Sequence, residues 1–157
     1  MRFIVVLLAL LPEVVAAQGR ERSAEAYAFV APGFRPSDGT ATASDGGGGD
    51  WFATDWLMLG ADAHFFGRWR CPSCGAFVFT GNVGFVKRAR RDFEKWQPFV
   101  KLGFGGAGVE GGAIGVAALS VGTSYWRSER LGLRFECRYE YVLEKTGFLH
   151  FRVGVVF

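Results

Sequence analysis

Apolar and polar residues alternate along most of this chain, in segments separated by short breaks. The clearest segment, Leu131 to Leu143, has leucine, phenylalanine, cysteine and tyrosine at odd positions and mostly arginine and glutamate at even positions. Neighbouring side chains on a β-strand project to opposite faces, so this segment predicts a strand with one apolar and one charged face. A helix would scatter both kinds of residue around its surface, and the strand is therefore favoured.

Seven strands are predicted from this alternation. They span 25–33, 55–66, 75–87, 97–108, 113–126, 131–143 and 147–157. An eighth segment, 40–53, is rich in glycine and has two interpretations: a flexible linker, or a strand that crosses a crowded part of the fold where only small residues fit. We favour the strand because it brings the count to eight, and single-chain bacterial outer-membrane barrels have an even number of strands.

The apolar faces of these strands are rich in aromatic residues, and the strands are long enough to cross a bilayer, which takes about 9–11 residues. Only a closed barrel lets a sheet cross lipid, because closure leaves no unpaired edge. The sequence therefore predicts an all-β fold, an eight-stranded antiparallel up-and-down transmembrane β-barrel. The alternative is a soluble secreted barrel of the lipocalin type that binds a hydrophobic ligand.

The polar faces of the strands carry charged and ionisable side chains that such a barrel would turn toward its lumen. They are Asp62, His64, Lys101, Arg134, Glu136, Arg138, Glu140 and Arg152, and His150 could join them. Side chains just fill the interior of an eight-stranded barrel, and an isolated buried charge is costly, so these charges are expected to pair. We therefore predict a closed lumen, with a narrow gated ion pathway as the alternative.

Composition agrees with an ordered β-rich fold. Half of the residues are apolar, 16% are aromatic, and the chain has 23 glycines but only 5 prolines. Disordered chains lack this apolar content. The net charge of +3 is small and no long helix carries a stripe of basic residues, so no nucleic-acid partner is expected.

The first residues have the pattern of an export signal. Arg2 precedes a short apolar run, Phe3 to Leu11, and the small residues Val15 and Ala17 stand before the expected cleavage point. The run is too short for a spanning helix, which needs about 20 apolar residues. The sequence thus predicts a cleaved signal peptide over 1–17 and a barrel domain over 18–157. A buried strand or an N-terminal membrane anchor is the alternative.

The motif "CPSCG", Cys71 to Gly75, begins in a predicted loop over 67–74. It resembles half of a zinc site. A structural zinc ion needs four ligands, and the chain's other thiol, Cys137, lies on the apolar face of its strand. In an oxidising compartment a disulfide between Cys71 and Cys74 is favoured over free thiols or metal binding. No metal and no cofactor are expected.

Enzymatic activity is not expected. His64 with Ser124, or His150 with Glu140, could be imagined as catalytic pairs, but neither pair belongs to a motif. A general base must also lie within hydrogen-bond reach of its nucleophile, which the sequence does not indicate for these residues. The predicted role is structural, or an interaction at the cell surface.

The export signal, the strand 131–143 and the final segment "LHFRVGVVF" together resemble the small OmpA-like, eight-stranded outer-membrane proteins of Gram-negative bacteria. In that family the chain ends on an aromatic residue preceded by apolar residues at alternate positions, which are filled here by Phe157, Val155, Val153 and Phe151. The resemblance implies that the barrel-assembly machinery recognises this last strand. It also implies an outer-membrane location, contact with outer-membrane lipid, a monomeric state and both termini in the periplasm.

Overall fold

The computed structural model describes residues 23–68, 71–87, 95–109, 112–128, 130–143 and 146–157, without the side chains of 68, 71–74 and 109. Eight strands follow one another along the chain. They are β1 (Ala24–Phe34), β2 (Ala41–Phe52), β3 (Leu57–Arg68), β4 (Cys71–Val86), β5 (Trp96–Val109), β6 (Gly112–Trp126), β7 (Gly132–Val142) and β8 (Thr146–Val156). The expected signal peptide, 1–17, lies outside the described residues.

Each strand pairs with the next in antiparallel fashion, and β8 pairs with β1, so the sheet closes into a barrel. This confirms the predicted eight-stranded antiparallel up-and-down fold. The closing ladder is secured at one end by Phe157, whose N–H donates to the Ala26 carbonyl at 2.8 Å. The β1–β8 ladder is interrupted beside Pro32, which has no N–H to donate. The described residues include no helical segment with the length and hydropathy that a membrane-spanning helix requires.

The glycine-rich segment is a barrel strand rather than a linker. Strand β2 pairs along its length with β1 on one side and β3 on the other. A Cβ atom added to Gly46 would lie 2.5 Å from His64 Cβ, and one added to Gly48 would lie 2.8 Å from Tyr27 Oη. The backbone carbonyls of Ala63 and Ala61 are closer still. Glycine is therefore required because both the backbone and the interior side chains of the neighbouring strands occupy the space beside β2.

The predicted loop over 67–74 is wrong. Strand β3 continues to Arg68 and β4 begins at Cys71, with these two residues paired after a register shift at Gly67. Backbone pairing thus extends past the point where the alternation of side chains fades. The side chains of Cys71 and Cys74 lie outside the described part of the structure, so their disulfide stays a prediction.

The barrel has two ends, and an apolar cluster fills the interior near each of them. We call the end with Ser23, Phe157, the turn 53–56 and the residues 127–128 and 130–131 the terminal end, and the end with the turn 35–40 the loop end. Near the terminal end the buried apolar residues are Phe52, Met58, Val86 and Phe99. Near the loop end they are Val78, Ala107 and Val116, with Phe66, Ala76 and Val142 packed against them. A third cluster, of Tyr27, Phe29, Ala31, Trp126 and Val156, extends from the terminal end along β1. The polar interior adjoins it between the other two clusters.

Candidate functional site

The candidate site is the polar interior of the barrel. Strand β7 lines it most regularly: its leucine, phenylalanine and tyrosine side chains point outward, so the residues between them point inward. The structure places all eight predicted lumen residues inside, each no more than 4% exposed. They are Asp62, His64, Lys101, Arg134, Glu136, Arg138, Glu140 and Arg152. At this depth water cannot solvate the charges, so the protein itself must balance them.

Arg134 organises the part of the interior nearest the terminal end. Its guanidinium donates to Glu25 Oε1 and to Asp50 Oδ2, each at 3.0 Å, and to Glu136 Oε2 at 3.4 Å. The same group lies between two aromatic rings, 4.1 Å from the Tyr27 ring centroid. Three carboxylates and an aromatic face thus compensate one buried arginine.

Lys101 continues this layer toward the middle of the barrel. Its Nζ lies 3.6 Å from Asp50 Oδ2 and 3.7 Å from Glu136 Oε2. It also donates to the Tyr27 hydroxyl at 3.4 Å. Two cations from β5 and β7 therefore share the same two carboxylates, which links the strands across the interior.

Asp62 is the centre of the middle layer. Its Oδ2 accepts hydrogen bonds from Asn82 Nδ2 at 2.8 Å and from Arg138 Nη1 at 3.1 Å. Its Oδ1 accepts from both terminal nitrogens of Arg152 at 3.4 Å. Arg152 in turn lies 3.5 Å from Glu136 Oε1, so the middle layer is joined to the layer below.

Glu140 and two histidines form the layer nearest the loop end. Glu140 Oε1 accepts hydrogen bonds from Arg138 Nε at 2.6 Å and from Arg152 Nη2 at 3.3 Å. Its Oε2 faces His64 Nε2 at 3.2 Å and His150 Nδ1 at 3.5 Å. The two carboxylate oxygens therefore have different partners: guanidinium groups on one side and imidazole rings on the other.

The sequence prediction missed two acidic members of this interior, Glu25 and Asp50. Glu25 shares its face of β1 with Tyr27 and Phe29. Because these two residues are aromatic, the sequence does not mark this face as the inward, polar one. Asp50 follows the glycine run of β2, where no alternation of side chains identifies a face. Every second residue of a strand points inward, so aligning β1 and β2 with their neighbours would have identified both residues as inward-facing.

The structure treats the two pairs considered as catalytic differently. Ser124 Oγ has no hydrogen-bond partner among the described residues, so it does not form a nucleophile–base pair with His64. His150 Nδ1 does lie 3.5 Å from Glu140 Oε2. Glu140 is also engaged by two arginines, which hold it in a fixed position.

The four residues of the predicted assembly signature lie on the outer surface of β8 and just beyond its end. Phe151, Val153, Val155 and Phe157 are each between 37% and 48% exposed. They form one apolar stripe because successive outward positions on a strand are two residues apart. Arg152 lies between them and points into the interior.

The sequence matches no protein-family model and no curated protein sequence. Solved structures with a similar fold include the N-terminal β-barrel domain of Pseudomonas aeruginosa OprF, with 17% identity, a TM-score of 0.66 and coverage of 85% of this chain and 95% of that one. Neisserial surface protein A is also similar, with 17% identity, a TM-score of 0.60 and coverage of 85% and 94%. For Ail of Yersinia pestis the values are 11%, 0.54, and 85% and 97%. This chain therefore has the fold of the small outer-membrane barrels.

Proposed function

We propose that this protein is a non-enzymatic barrel of the bacterial outer membrane, with a closed lumen and a structural or surface-interaction role. The observation that carries the proposal is the distribution of side chains: large apolar residues cover the outside and charged residues fill the inside. The exposed aromatic residues in the described part of the chain are Phe34, Trp51, Trp56, Phe65, Phe77, Phe79, Phe85, Trp96, Phe104, Phe135, Tyr139, Tyr141, Phe151 and Phe157. A soluble protein rarely exposes so large an apolar surface.

The positions of tryptophan and tyrosine support insertion into a bilayer. Trp51, Trp56 and Trp96 are more than half exposed and lie near the terminal end, where Trp56 stacks on Phe85. Tyr139 and Tyr141 are exposed nearer the loop end. Tryptophan and tyrosine gather at the two membrane–water interfaces, so this arrangement fits a barrel with outer-membrane lipid around its middle.

The filled interior favours the closed barrel over both alternatives. A lipocalin-type protein needs an apolar cavity for its ligand, whereas the interior described here is lined by ion pairs such as Arg138 with Glu140. A pore needs a water-filled path, and the apolar clusters near the two ends support its absence from the described interior. The proposed role is therefore that of a rigid membrane body.

Fractionation tests the location. Expressed with residues 1–17, the protein should sediment with outer membranes, and unboiled samples should migrate differently from boiled samples on an SDS gel. A soluble periplasmic protein expressed in the same cells is the control and should stay in the supernatant. Recovery of this protein in that supernatant would contradict the proposal.

Orientation in the membrane is part of the proposal, with both termini in the periplasm. Ser37 lies in the loop-end turn and Ser128 in a terminal-end turn, and both are exposed. In a cysteine-free background, a membrane-impermeant thiol reagent should label Ser37→Cys in intact cells and Ser128→Cys only after lysis. The opposite labelling pattern would reverse the orientation without affecting the membrane assignment.

A further inference from the structure

We propose that His64, Glu140 and His150 form a binding site for one divalent transition-metal ion of the zinc class, inside the barrel near the loop end. Glu140 Oε2 lies 3.2 Å from His64 Nε2 and 3.5 Å from His150 Nδ1. All three candidate ligand atoms lie within 4.8 Å of one another. Ligands about 2.0–2.2 Å from a tetrahedral zinc ion are separated by about 3.3–3.5 Å, so small side-chain adjustments would bring these three ligands onto one ion and leave its fourth position for water.

His150 is the residue that points most strongly to a ligand. Its side chain is completely buried, and neither ring nitrogen forms a hydrogen bond within the described part of the structure. The ring packs against Phe66 at a centroid distance of 5.4 Å, and Gly33 on β1 leaves the space that the ring occupies. A buried imidazole without hydrogen bonds is costly, and coordination through Nδ1 would satisfy one of its two nitrogens.

The surrounding contacts orient the other two ligands. Arg138 and Arg152 hold Glu140 through Oε1, which leaves Oε2 directed at the two imidazole rings. On the far side of the His64 ring, Nδ1 lies 3.6 Å from Asp62 Oδ1. This matches the common arrangement in which a metal-binding histidine directs its second nitrogen at a carboxylate. Arg152 Nη2 now donates to that Nδ1 at 3.2 Å. A metal on Nε2 would place the proton on Nδ1, and Arg152 would then donate to Asp62 and Glu140 alone.

The formal charges of the interior are nearly balanced. The buried carboxylates of the described residues are Glu25, Asp50, Asp62, Glu136 and Glu140, against the cations Lys101, Arg134, Arg138 and Arg152. With both histidines neutral, as metal binding requires, one negative charge is in excess. A divalent ion would change this formal charge from −1 to +1, so the geometry of the ligands, and not the charge count, is what favours a metal.

The donor set and its place in the fold indicate which ion would bind and which strands it would connect. Two imidazoles and one carboxylate suit zinc and the neighbouring metals that favour nitrogen ligands, rather than calcium or magnesium. His64 comes from β3, whereas Glu140 and His150 come from β7 and β8 on the opposite wall of the closed barrel. One ion would thus connect opposite walls of the barrel.

The test is a titration of the folded full chain in detergent with Zn²⁺, and with Co²⁺ as an optical probe, after Cys71, Cys74 and Cys137 have been replaced by serine. We expect one equivalent to bind, with the visible absorption of Co²⁺ in a nitrogen and oxygen environment. His64→Gln and His150→Gln should each weaken binding at least tenfold. Ser124→Ala, an interior change near the terminal end, should leave the affinity unchanged.

The test remains decisive if a variant fails to fold. Gel migration of unboiled samples identifies the folded fraction, and the parent chain provides a second, independent measurement. X-ray absorption of Zn²⁺ bound to the cysteine-containing parent should show imidazole scattering. Absence of binding in the cysteine-free chain, equal affinities for parent and His150→Gln, or coordination of the parent's zinc by sulfur alone would each overturn the site.

Discussion

At the scale of the residue, the interior depends on side chains that have several charged partners each. Arg138 is the clearest case: it is fully buried and donates to Glu140, Asp62 and Thr80 at distances between 2.6 and 3.1 Å. Such pairs add little net stability relative to apolar packing, but removing one partner leaves an uncompensated charge in a dry interior. The cost of losing Arg138 should therefore exceed that of losing an exposed arginine.

Replacing Arg138 with methionine tests this argument. The substitution keeps an unbranched apolar side chain but leaves Asp62 and Glu140 short of a cation, so the free energy of unfolding should fall by about 3–5 kcal/mol. Urea unfolding of the refolded protein, followed by tryptophan fluorescence, measures the change. The matched control is Arg127→Met in an exposed turn, which should change stability by no more than about 0.5 kcal/mol. Equal effects of the two substitutions would show that the interior charges are not coupled to folding.

The inward position of Arg138 could be predicted from sequence, whereas its partners could not. Alternation along β7 indicates which face a side chain occupies, since neighbours on a strand point to opposite sides. It carries no information about distance across a barrel, so Asp50 and Glu25 were not identified as partners of Arg134. The alternation also gives no sign that His64 and His150 approach each other across the interior. For this reason the sequence predicts no metal site at these residues.

At the scale of the element, β2 shows where pattern reasoning reaches its limit. A run of glycines has no apolar and polar faces, so a linker and a strand could be separated only by the expected strand count. The deciding factor lies on the neighbouring strands, where Tyr27, Asp62 and His64 fill the volume that β2 leaves free. Backbone carbonyls of the same neighbours also approach these glycines, so the composition of one strand is set by how closely its neighbours pack against it.

Adding a single methyl group to β2 tests this dependence. In Gly48→Ala the new Cβ would lie 2.7 Å from Asp62 Cβ and 2.8 Å from Tyr27 Oη, which forces the interior to shift. Overpacking of this kind costs about 1–3 kcal/mol, so the urea midpoint should fall. Gly81→Ala on β4 is the control, because its Cβ would meet nothing closer than Phe104 O at 3.9 Å. If the urea midpoint falls equally in both variants, crowding is not the reason that β2 contains glycine.

At the scale of the whole molecule, the sequence predicts the barrel because the same alternation recurs in strand after strand. Each segment alone is a weak signal. Because the segments share a similar length and the same alternation of apolar and polar positions, together they indicate a closed antiparallel sheet. The apolar clusters near the two ends could not be predicted, since they combine residues from several strands, such as Val78 with Val116. The proposed closure of the lumen therefore depends on packing that appears only in the assembled barrel.

The outer stripe of β8 leads to a prediction about assembly. Phe157 and Phe135 are outward aromatic residues of similar exposure, 37% and 40%, and replacing either with alanine removes a similar apolar area from the outside. In Phe157→Ala the backbone bonds with Ala26 remain, because they use only the N–H and carbonyl of residue 157. Both variants should therefore refold into detergent with similar stability.

Insertion in cells should separate the two variants if the end of β8 is what the assembly machinery recognises. Phe157→Ala should then lower the yield of heat-modifiable barrel in outer membranes severalfold, while Phe135→Ala stays close to the parent. The comparison of cellular yield with refolding in detergent distinguishes recognition from stability, since lost apolar area alone would affect both measurements alike. Equal cellular yields would mean that Phe157 acts only as one more lipid-facing side chain on a barrel closed by its backbone.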